Sequence, residues 1–248
     1  MVEKPGHEEV RMMTLLETKA LNAGYGPLQI LWNIDFKVEE KSVTALIGAN
    51  GAGKTTLIKV LTGLLKPYSG HVFFKGVDVT GYPAHRMRQM GLSLVPEGRR
   101  LFPNLTVMDN LLMGAYMLRR QDEFEERLEI VLELFPVLKE RRNQPARLLS
   151  GGEAQMLAIA RALITPSDLL IVDEPSSGLA PKLVDLIFKK LEELRETGLT
   201  ILVVDQFVER ALSISDTAYV MENGKIAIQG PSTEVANNEH LKKTYLGL

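Results

Sequence analysis

A glycine-rich stretch near the start of the chain carries residues that can bind phosphate groups. Residues 48–56, GANGAGKTT, match the pattern G-x-x-x-x-G-K-[ST], which a random chain of this length meets in about 1 % of cases. Its glycines let backbone N–H groups close around phosphate oxygens, Lys54 can reach the outer phosphates, and the Thr55 hydroxyl can bind Mg²⁺. The residues predicted to surround the phosphates are Gly48, Asn50, Gly51, Ala52, Gly53, Lys54, Thr55 and Thr56.

A pair of adjacent acids follows an apolar run later in the chain. The run LLIV, at 169–172, ends at Asp173 and Glu174. Successive strand side chains point to opposite faces, so the two carboxylates need not share one task. Asp173 fits a Mg²⁺ ligand, and Glu174 fits a general base that orients and polarises an attacking water. The alternative is a strand that simply ends in solvated acids.

Two further stretches end or begin an element with polar groups. Ser150, Gly151, Gly152 and Glu153 precede the helical pattern AQMLAIARAL. Free N–H groups and a hydroxyl at a helix start suit an anion, although the turn could equally be an ordinary helix cap. In ILVVDQFV, at 201–208, four aliphatic residues stop abruptly at Asp205 and Gln206. This pattern is typical of a buried strand that opens into a site.

The elements that must position these groups are predicted from apolar periodicity. Strands are expected at 30–38, 43–47, 72–74, 92–95, 169–172 and 200–204, where short runs are rich in branched residues. Residues 181–196 place apolar side chains along one stripe of a helix. The order strand, helix, strand in the second half predicts a parallel sheet. Two alternating runs around Asn223-Gly224 predict a β-hairpin.

The middle of the chain has a different pattern. From about residue 106 to 164 the sequence predicts no strand and shows three helical patterns. The pattern at 123–136 puts on one helix face Phe124, Leu128, Val131 and Phe135. A helical block between α/β halves indicates an inserted subdomain.

The composition excludes several classes of function. A net charge of −2 gives no electrostatic reason to expect nucleic acid or an anionic membrane surface as a partner. The absence of cysteine excludes disulfides and thiolate metal sites. No apolar run approaches the roughly 18 residues that cross a bilayer. Residues 1–13 are charged and carry no secretory pattern, so we expect a loose tail and a cytosolic location.

In their order along the chain, the phosphate loop, the helical block, the LSGGE turn and the paired acids resemble the ATP-binding subunits of ABC transporters. The resemblance covers about residues 14–248. It implies an α/β P-loop NTPase with a mostly parallel core sheet, an antiparallel β subdomain and a helical subdomain inserted at about 97–165. It also implies a dimer that encloses two ATP molecules with Mg²⁺. The residues implied to contact the partner subunit's ATP are Ser150, Gly151, Gly152 and Glu153.

Other roles follow from matching this sequence to the family. Tyr25 stands where an aromatic residue stacks on adenine, although a tyrosine packed on the core is the alternative. The loop at 176–180 matches the loop that lines the dimer interface. Ala180 occupies the position where the family commonly has Asp, so the usual carboxylate across the dimer is missing.

Two departures from the family pattern concern the chemistry. Glu97 stands where most members have a Gln that contacts Mg²⁺ and the attacking water, and its oxygen can still bind the metal. Gln206 stands where the family usually has a histidine that touches the γ-phosphate. An amide can donate a hydrogen bond there but cannot titrate or carry charge, so Glu174 must be the base. The rival hypothesis is an impaired site, with a sibling subunit's site driving most turnover.

With Glu97 and Gln206 at these positions, the sequence is similar to one of the two ATP-binding subunits of branched-chain amino acid importers. This resemblance implies that the chain lies at the cytoplasmic face of the membrane and works with a non-identical sibling ATPase and two membrane permeases. It also implies an extracytoplasmic solute-binding protein. A pair of identical subunits is the alternative arrangement. Phe102 is the candidate permease contact, unless it packs under its own subdomain. Alternative functions are a urea or short-amide importer, a lipid or lipopolysaccharide exporter, and an ABC ATPase without a transport role.

Overall fold

The computed structural model describes residues 13–246, so of the tail predicted at 1–13 only Met13 is included. The strands are β1 (Thr14–Tyr25), β2 (Leu28–Glu39), β3 (Val43–Ile47), β4 (Ser69–Phe74), β5 (Val77–Asp78), β6 (Leu92–Val95), β7 (Leu169–Asp173), β8 (Thr200–Asp205), β9 (Thr217–Glu222) and β10 (Lys225–Pro231). The helices are α1 (Lys54–Leu61), α2 (Ala84–Gln89), α3 (Val107–Gly114), α4 (Gln121–Leu134), α5 (Pro136–Glu140), α6 (Gly151–Leu163), α7 (Pro181–Glu196), α8 (Val208–Ile214), α9 (Ser232–Asn237) and α10 (Glu239–Leu241). None of these helices combines the length and apolar character needed to cross a bilayer.

Six strands form the larger sheet, in the order β10-β9-β3-β8-β7-β6. Neighbouring strands from β9 to β6 are parallel, and only the edge pair β9–β10 is antiparallel. All residues of β3, β7 and β8 are buried. Parallel strands covered on both faces have unbroken apolar sequences, which is why these segments show no alternation. The mostly parallel core sheet expected from the sequence is confirmed.

Side chains of the central strands alternate between two apolar cores. In β8, Ile201 and Val203 point into a core that includes residues of α6 and α7. Leu202 and Val204 point into a second core, which contains residues of α1 and of the smaller sheet. That sheet is antiparallel, with the order β2-β1-β4-β5. Helix α1 therefore packs in the core that the two sheets share.

The apolar pattern of the sequence did not predict strand β1. Ala20 adopts a left-handed backbone with φ 47°. The register against β2 shifts between Thr18 and Leu21 and again between Leu21 and Ala23. Each such irregularity moves the following side chains out of strict alternation. The period of two on which a strand prediction depends is therefore lost in this segment.

The segment between β6 and β7 is helical, as the sequence predicts. It contains α3, α4, α5 and α6, and within the described chain its strand-like pairing is limited to the bridge between Thr106 and Pro145. The helix predicted at 123–136 ends at Leu134, and Pro136 begins α5. A residue that precedes proline is disfavoured in helical conformation, so Phe135 breaks the run. The boundaries of a helical subdomain at about 97–165 stay a prediction.

The predicted hairpin joins β9 and β10 and supports the phosphate loop. Asn223 and Gly224 have φ values of 48° and 74°, and a two-residue type I′ turn requires both to be positive. The Gly224 N–H donates to the Ala52 carbonyl at 2.9 Å, and the Gly224 carbonyl accepts from the Trp32 N–H at 2.8 Å. A Cβ at Gly224 would lie 1.7 Å from the Ile30 carbonyl oxygen. Only glycine fits this position.

Replacement of Gly224 by alanine should destabilise the protein far more than the same change at Gly76. Both glycines have φ 74°, but a Cβ at Gly76 meets open space. Gly76→Ala should cost about 1 kcal/mol from backbone strain alone, and Gly224→Ala about 3 kcal/mol or more because the Ile30 carbonyl must move. Urea unfolding of the two variants measures the difference. Equal losses would contradict the close approach.

Candidate functional site

Polar groups that follow four neighbouring parallel strands meet at one edge of the larger sheet. In the ladder, Ile47 of β3 lies beside Asp205 of β8, and Asp173 of β7 lies beside Val204. Parallel strands keep their carboxyl ends at one edge, which is where ligands bind in such sheets. The groups gathered there are the phosphate loop, Glu97, Glu174 and Gln206.

The phosphate loop is shaped by two glycines and by Lys54. Gly51 and Gly53 have φ values of 83° and 110°, a region that other residues rarely adopt. Helix α1 begins at Lys54, so the N–H groups of its first turn are free to bind an anion. The buried Lys54 ammonium donates to the carbonyls of Gly48 at 2.7 Å and Ala49 at 3.3 Å. The loop therefore holds its donors in place.

Lys54 also forms an ion pair with one of the paired acids. Its Nζ lies 3.8 Å from Oε1 of Glu174, and the two side chains are 5 % and 14 % exposed. The Glu174 backbone is left-handed with φ 48°, which costs a residue other than glycine about 1–3 kcal/mol. The Glu174 N–H donates to the Val204 carbonyl at 2.7 Å, which holds this conformation. Backbone strain concentrates at functional sites, so it supports a functional role for this carboxylate.

Negative charge accumulates around the paired acids. Burial, together with the charges of Glu174 and Glu97, raises the pKa of Asp173 to about 6. Burial also raises the pKa of Glu174. The Lys54 ammonium opposes that second shift, and the charges of Glu97 and Asp205 reinforce it. The site therefore carries more carboxylate than its one lysine can neutralise.

These oxygens fit a divalent cation that binds together with a nucleotide. Mg²⁺ prefers oxygen ligands and in such sites uses one or two carboxylates together with substrate phosphates. Within residues 13–246 there is no group of three His, Cys, Asp or Glu that could hold a metal by itself. The expected donors, Thr55, Glu97 and Asp173, are thus a partial set that phosphate oxygens would complete. A cation there would offset the repulsion that raises the pKa of Asp173.

Tyr25 lies beside the helix that follows the phosphate loop. Nζ of Lys59 donates to its hydroxyl at 3.2 Å and lies 5.3 Å from its ring centroid. Burial raises the pKa of Tyr25, but hydrogen bonds with Thr56 and Lys59 outweigh this and lower it. The residue is 43 % exposed, so ring surface is available for stacking. Stacking on adenine stays a prediction.

The two polar residues at the end of β8 lie in opposite environments. Gln206 is exposed, whereas Asp205 is completely buried. Asp205 accepts hydrogen bonds from the Ser176 hydroxyl at 2.7 Å and the Phe207 N–H at 2.9 Å. Sequence reasoning assigned Asp205 no role. Alternation shows that neighbouring strand residues face opposite ways but not which of them faces inward.

The Ser150–Glu153 turn closes on itself in a capping box. The Ser150 hydroxyl accepts from the Glu153 N–H at 3.3 Å, and the Glu153 carboxylate accepts from the Ser150 N–H at 2.8 Å. A Cβ at Gly151 would lie 2.9 Å from a methyl carbon of Leu179, in the loop after β7. No hydrogen bond or ion pair between described residues joins this turn to the phosphate loop. Its predicted contact with a partner's ATP stays a prediction.

Two arginines without a predicted role anchor the loop after β6. Arg99 donates to the Gln155 side chain of α6 at 3.0 Å and to the Ser177 carbonyl at 3.3 Å. Arg161 of α6 donates to the carbonyls of Arg99 at 2.9 Å and Arg100 at 2.8 Å. The loop that carries Glu97 is thereby tied to α6 and to the loop after β7. For Arg99, the available sequence signal was the Arg99-Arg100 pair close to Glu97. The residues to which Arg99 donates are far away in the chain.

A phosphate loop between β3 and α1, with paired acids at the end of β7, defines a P-loop nucleotide-binding ATPase. The family model for the ABC transporter matches residues 31–177. The chain belongs to the ABC transporter ATP-binding family, whose members bind nucleotide, hydrolyse ATP and work with membrane permease components.

Similar proteins match over nearly the full chain. The chain is 40 % identical to the probable branched-chain amino acid transport ATP-binding protein LivF of Archaeoglobus fulgidus, across 94 % of this chain and 99 % of the relative. It is 41 % identical to the high-affinity branched-chain amino acid transport ATP-binding protein BraG of Pseudomonas aeruginosa, across 94 % and 100 %. Identity to the lipopolysaccharide export system ATP-binding protein LptB of Escherichia coli is 31 %, across 95 % and 98 %.

Solved structures confirm the fold. An ATP-binding cassette of an ABC transporter in its ADP conformation has a TM-score of 0.87 and 30 % identity, and the match covers 95 % of this chain and 100 % of that one. A dimeric cassette in a post-hydrolysis state, bound to ADP and Pi, has a TM-score of 0.77 at 22 % identity, and the match covers 88 % and 98 %. At 22 % identity, the second match is evidence for the fold only.

Removal of the Lys54 ammonium should weaken nucleotide binding. Lys54→Ala should lower ATP affinity about 10- to 100-fold, because charge-assisted hydrogen bonds to phosphate contribute about 1.5–3 kcal/mol. Lys189→Ala, on the exposed side of α7, is the matched control and should leave affinity unchanged. Titration calorimetry with ATP and Mg²⁺ measures both. Unchanged affinity in Lys54→Ala would contradict the phosphate-loop assignment.

Proposed function

We propose that this chain is an ATP-hydrolysing subunit that powers import of branched-chain amino acids. The observation that carries the substrate class is the identity of 40–41 % to two branched-chain amino acid transport subunits across their full lengths. Identity to the lipopolysaccharide export subunit is 31 % over a similar span. Export is therefore the less supported function. ATP itself cannot select the solute, so selection belongs to the permeases and the solute-binding protein.

In the proposed assembly, the chain lies at the cytoplasmic face of the membrane with a sibling ATPase and two permeases. Each ATP is bound between the phosphate loop of one subunit and the Ser150–Glu153 turn of the other. Two features support this arrangement: among the described residues no hydrogen bond or ion pair joins the turn to its own chain's phosphate loop, and the turn lies beside Leu179 of the loop expected at the dimer interface. Tyr25 is expected to stack on adenine.

The chain's own residues divide the work of hydrolysis. Lys54 and the N–H groups of the phosphate loop hold the outer phosphates and stabilise charge that develops on them. Glu174 holds the attacking water and accepts its proton, because burial and neighbouring carboxylates raise its pKa and make it a better base. A Mg²⁺ held by Thr55, Asp173 and Glu97 would supply further charge neutralisation. Closure over ATP is transmitted to the permeases, and hydrolysis reopens the dimer.

Gln206 would serve as a neutral hydrogen-bond donor to the γ-phosphate. Its exposure at the carboxyl end of β8, between the ends of β3 and β7, supports this assignment. A glutamine amide donates without titrating, so it leaves proton transfer to Glu174. The same reasoning favours a working site over an impaired one.

An apolar surface around α3 is the proposed contact with a permease. Exposed large apolar side chains there are Phe102, Leu105, Leu112, Met113 and Tyr116. Exposed apolar side chains that form a contiguous patch mark interaction sites. Phe102 remains 42 % exposed although the Arg161 guanidinium lies 5.7 Å from its ring centroid. Part of the ring is therefore available to a partner.

Isolation of the complete complex and assay of transport test the proposed function. Tagged chain purified from its membrane should bring two permeases and a second ATPase, and vesicles should import leucine with ATP and a solute-binding protein. Uptake of urea alone, or outward lipid transport, would overturn the substrate class.

Phe102→Glu should reduce permease recovery about 10-fold or more, because a buried unpaired charge is costly. Val77→Glu, on the exposed β5, should not. Equal recovery of both would refute the contact.

Loss of the Glu174 carboxylate should stop turnover without loss of ATP binding. Glu174→Gln keeps the side-chain shape but cannot accept a proton, so turnover should fall about 10²- to 10⁴-fold. ATP affinity should be kept, because the substitution removes a negative charge near the phosphates. Glu192→Gln, exposed on α7, serves as the control. Normal turnover in Glu174→Gln would rule out the base.

A histidine in place of Gln206 should change turnover by no more than about threefold if the amide contact already works. Gln206→Ala removes the donor and should lower turnover about 10-fold or more. Steady-state ATPase rates of the complex distinguish the hypotheses. A large gain in Gln206→His would favour the impaired site instead.

A further inference from the structure

A carboxylate that is assigned no contact with nucleotide or metal in the proposed chemistry is buried next to the site. Asp205 is fully buried at the end of β8, one residue before Gln206. No ion pair among the described residues involves it, so no lysine or arginine compensates its charge. Burial of an unpaired carboxylate is costly and persists only where hydrogen bonds satisfy its oxygens. Such a group calls for a specific reason.

Three donors satisfy the Asp205 carboxylate, and they come from two loops. The Ser176 hydroxyl donates to Oδ1 at 2.7 Å, and the Ser176 N–H donates to Oδ2 at 3.3 Å. The Phe207 N–H also donates to Oδ1, at 2.9 Å. Ser176 lies two residues after Glu174, and Phe207 lies one residue after Gln206. The carboxylate therefore joins the loop that carries the proposed base to the turn that carries the proposed phosphate contact.

A second bond between the same two segments completes a rigid frame. The Glu174 N–H donates to the Val204 carbonyl at 2.7 Å, beside the Ser176–Asp205 pair. Ser176 is itself buried, and its carbonyl accepts from the Leu179 N–H at 3.1 Å. A displacement of the interface loop at 176–180 would therefore be transmitted to both Glu174 and Gln206.

We propose that Asp205 is a positioning residue: its buried bonds to Ser176 and Phe207 hold Glu174, Gln206 and the interface loop in one fixed arrangement. This inference rests on the proposed roles of Glu174 and Gln206. It assigns to the chain's own interface loop a direct mechanical link to the reacting groups. Closure of the dimer on that loop would thus align the base and the phosphate contact together.

The geometry requires a carboxylate at this position. Both oxygens of Asp205 accept from N–H or O–H donors. In Asp205→Asn one oxygen becomes an NH₂ group that would face a donor, so at least one bond is lost. In Ser176→Ala only the hydroxyl bond is lost, while the two N–H bonds can persist. The two variants therefore remove parts of the same contact.

The experiment compares turnover with nucleotide affinity in the assembled complex. Ser176→Ala and Asp205→Asn should each lower kcat about 10-fold, with ATP affinity within about twofold of the unaltered complex. The double variant should be no slower than Asp205→Asn, because both changes break one link. Ser42→Ala is the matched control: it removes the buried Ser42 hydroxyl bond to the Glu39 carbonyl at 2.8 Å, at the opposite end of β3. It should lose similar stability and keep kcat.

Three results would overturn the proposal. A fall in ATP affinity in step with kcat would show that the frame merely keeps the site folded, and it refutes positioning. A kcat loss in Ser42→Ala equal to that in Ser176→Ala refutes it as well, as does a double variant in which the two losses multiply. ATP turnover and ATP affinity are both measured without added solute, so the outcome of the leucine import assay does not enter these results. A fully active Glu174→Gln would instead identify failure of the proposed base.

Discussion

The site depends on the register of parallel strands that are buried on both faces. Backbone bonds align the ends of β3, β8 and β7, so that Ile47 lies beside Asp205 and Val204 beside Asp173. A slip of one residue would exchange the faces of every side chain in the strand. In β8 it would turn Asp205 outward and disrupt both apolar cores. The two cores thereby fix which polar groups reach the ligand-binding edge.

Electrostatic imbalance is the second organising feature. The charges of Glu174 and Glu97 act on Asp173, and the charges of Glu97 and Asp205 act on Glu174. The buried Lys54 ammonium lies beside Glu174. Burial first, and the neighbouring carboxylate charges second, raise the pKa of both Asp173 and Glu174. Lys54 and the phosphate loop would hold the phosphates of a nucleotide, and a Mg²⁺ bound with it would place positive charge beside the acids. The acids suit a cation and the phosphate loop suits an anion, which fits a nucleotide that binds together with a divalent cation.

Contacts between distant segments hold the chemical groups in place. The Gly224 turn supports the phosphate loop, Asp205 joins the loops after β7 and β8, and Arg99 ties the loop after β6 to α6. Sequence patterns found the groups that can do chemistry, because phosphate loops and paired acids have characteristic local spacing. They did not find this supporting set, since the bond from Gly224 to Ala52, the bond from Ser176 to Asp205 and the bond from Arg99 to Gln155 each join residues remote in the chain. The irregular β1 was missed for a local reason, the loss of alternation at its shifted register.

The sequence by itself determined the class of site, the parallel core, the helical block between β6 and β7, and the hairpin at Asn223-Gly224. Each of these depends on short-range spacing, apolar runs or turn residues, which a linear pattern records. Only the tertiary structure decided that Asp205 faces inward and Gln206 outward, that Glu174 pairs with Lys54, and that the hairpin turn supports the phosphate loop. The physical reason is that side-chain direction and charge environment depend on what packs against each strand end, and those neighbours come from elsewhere in the chain.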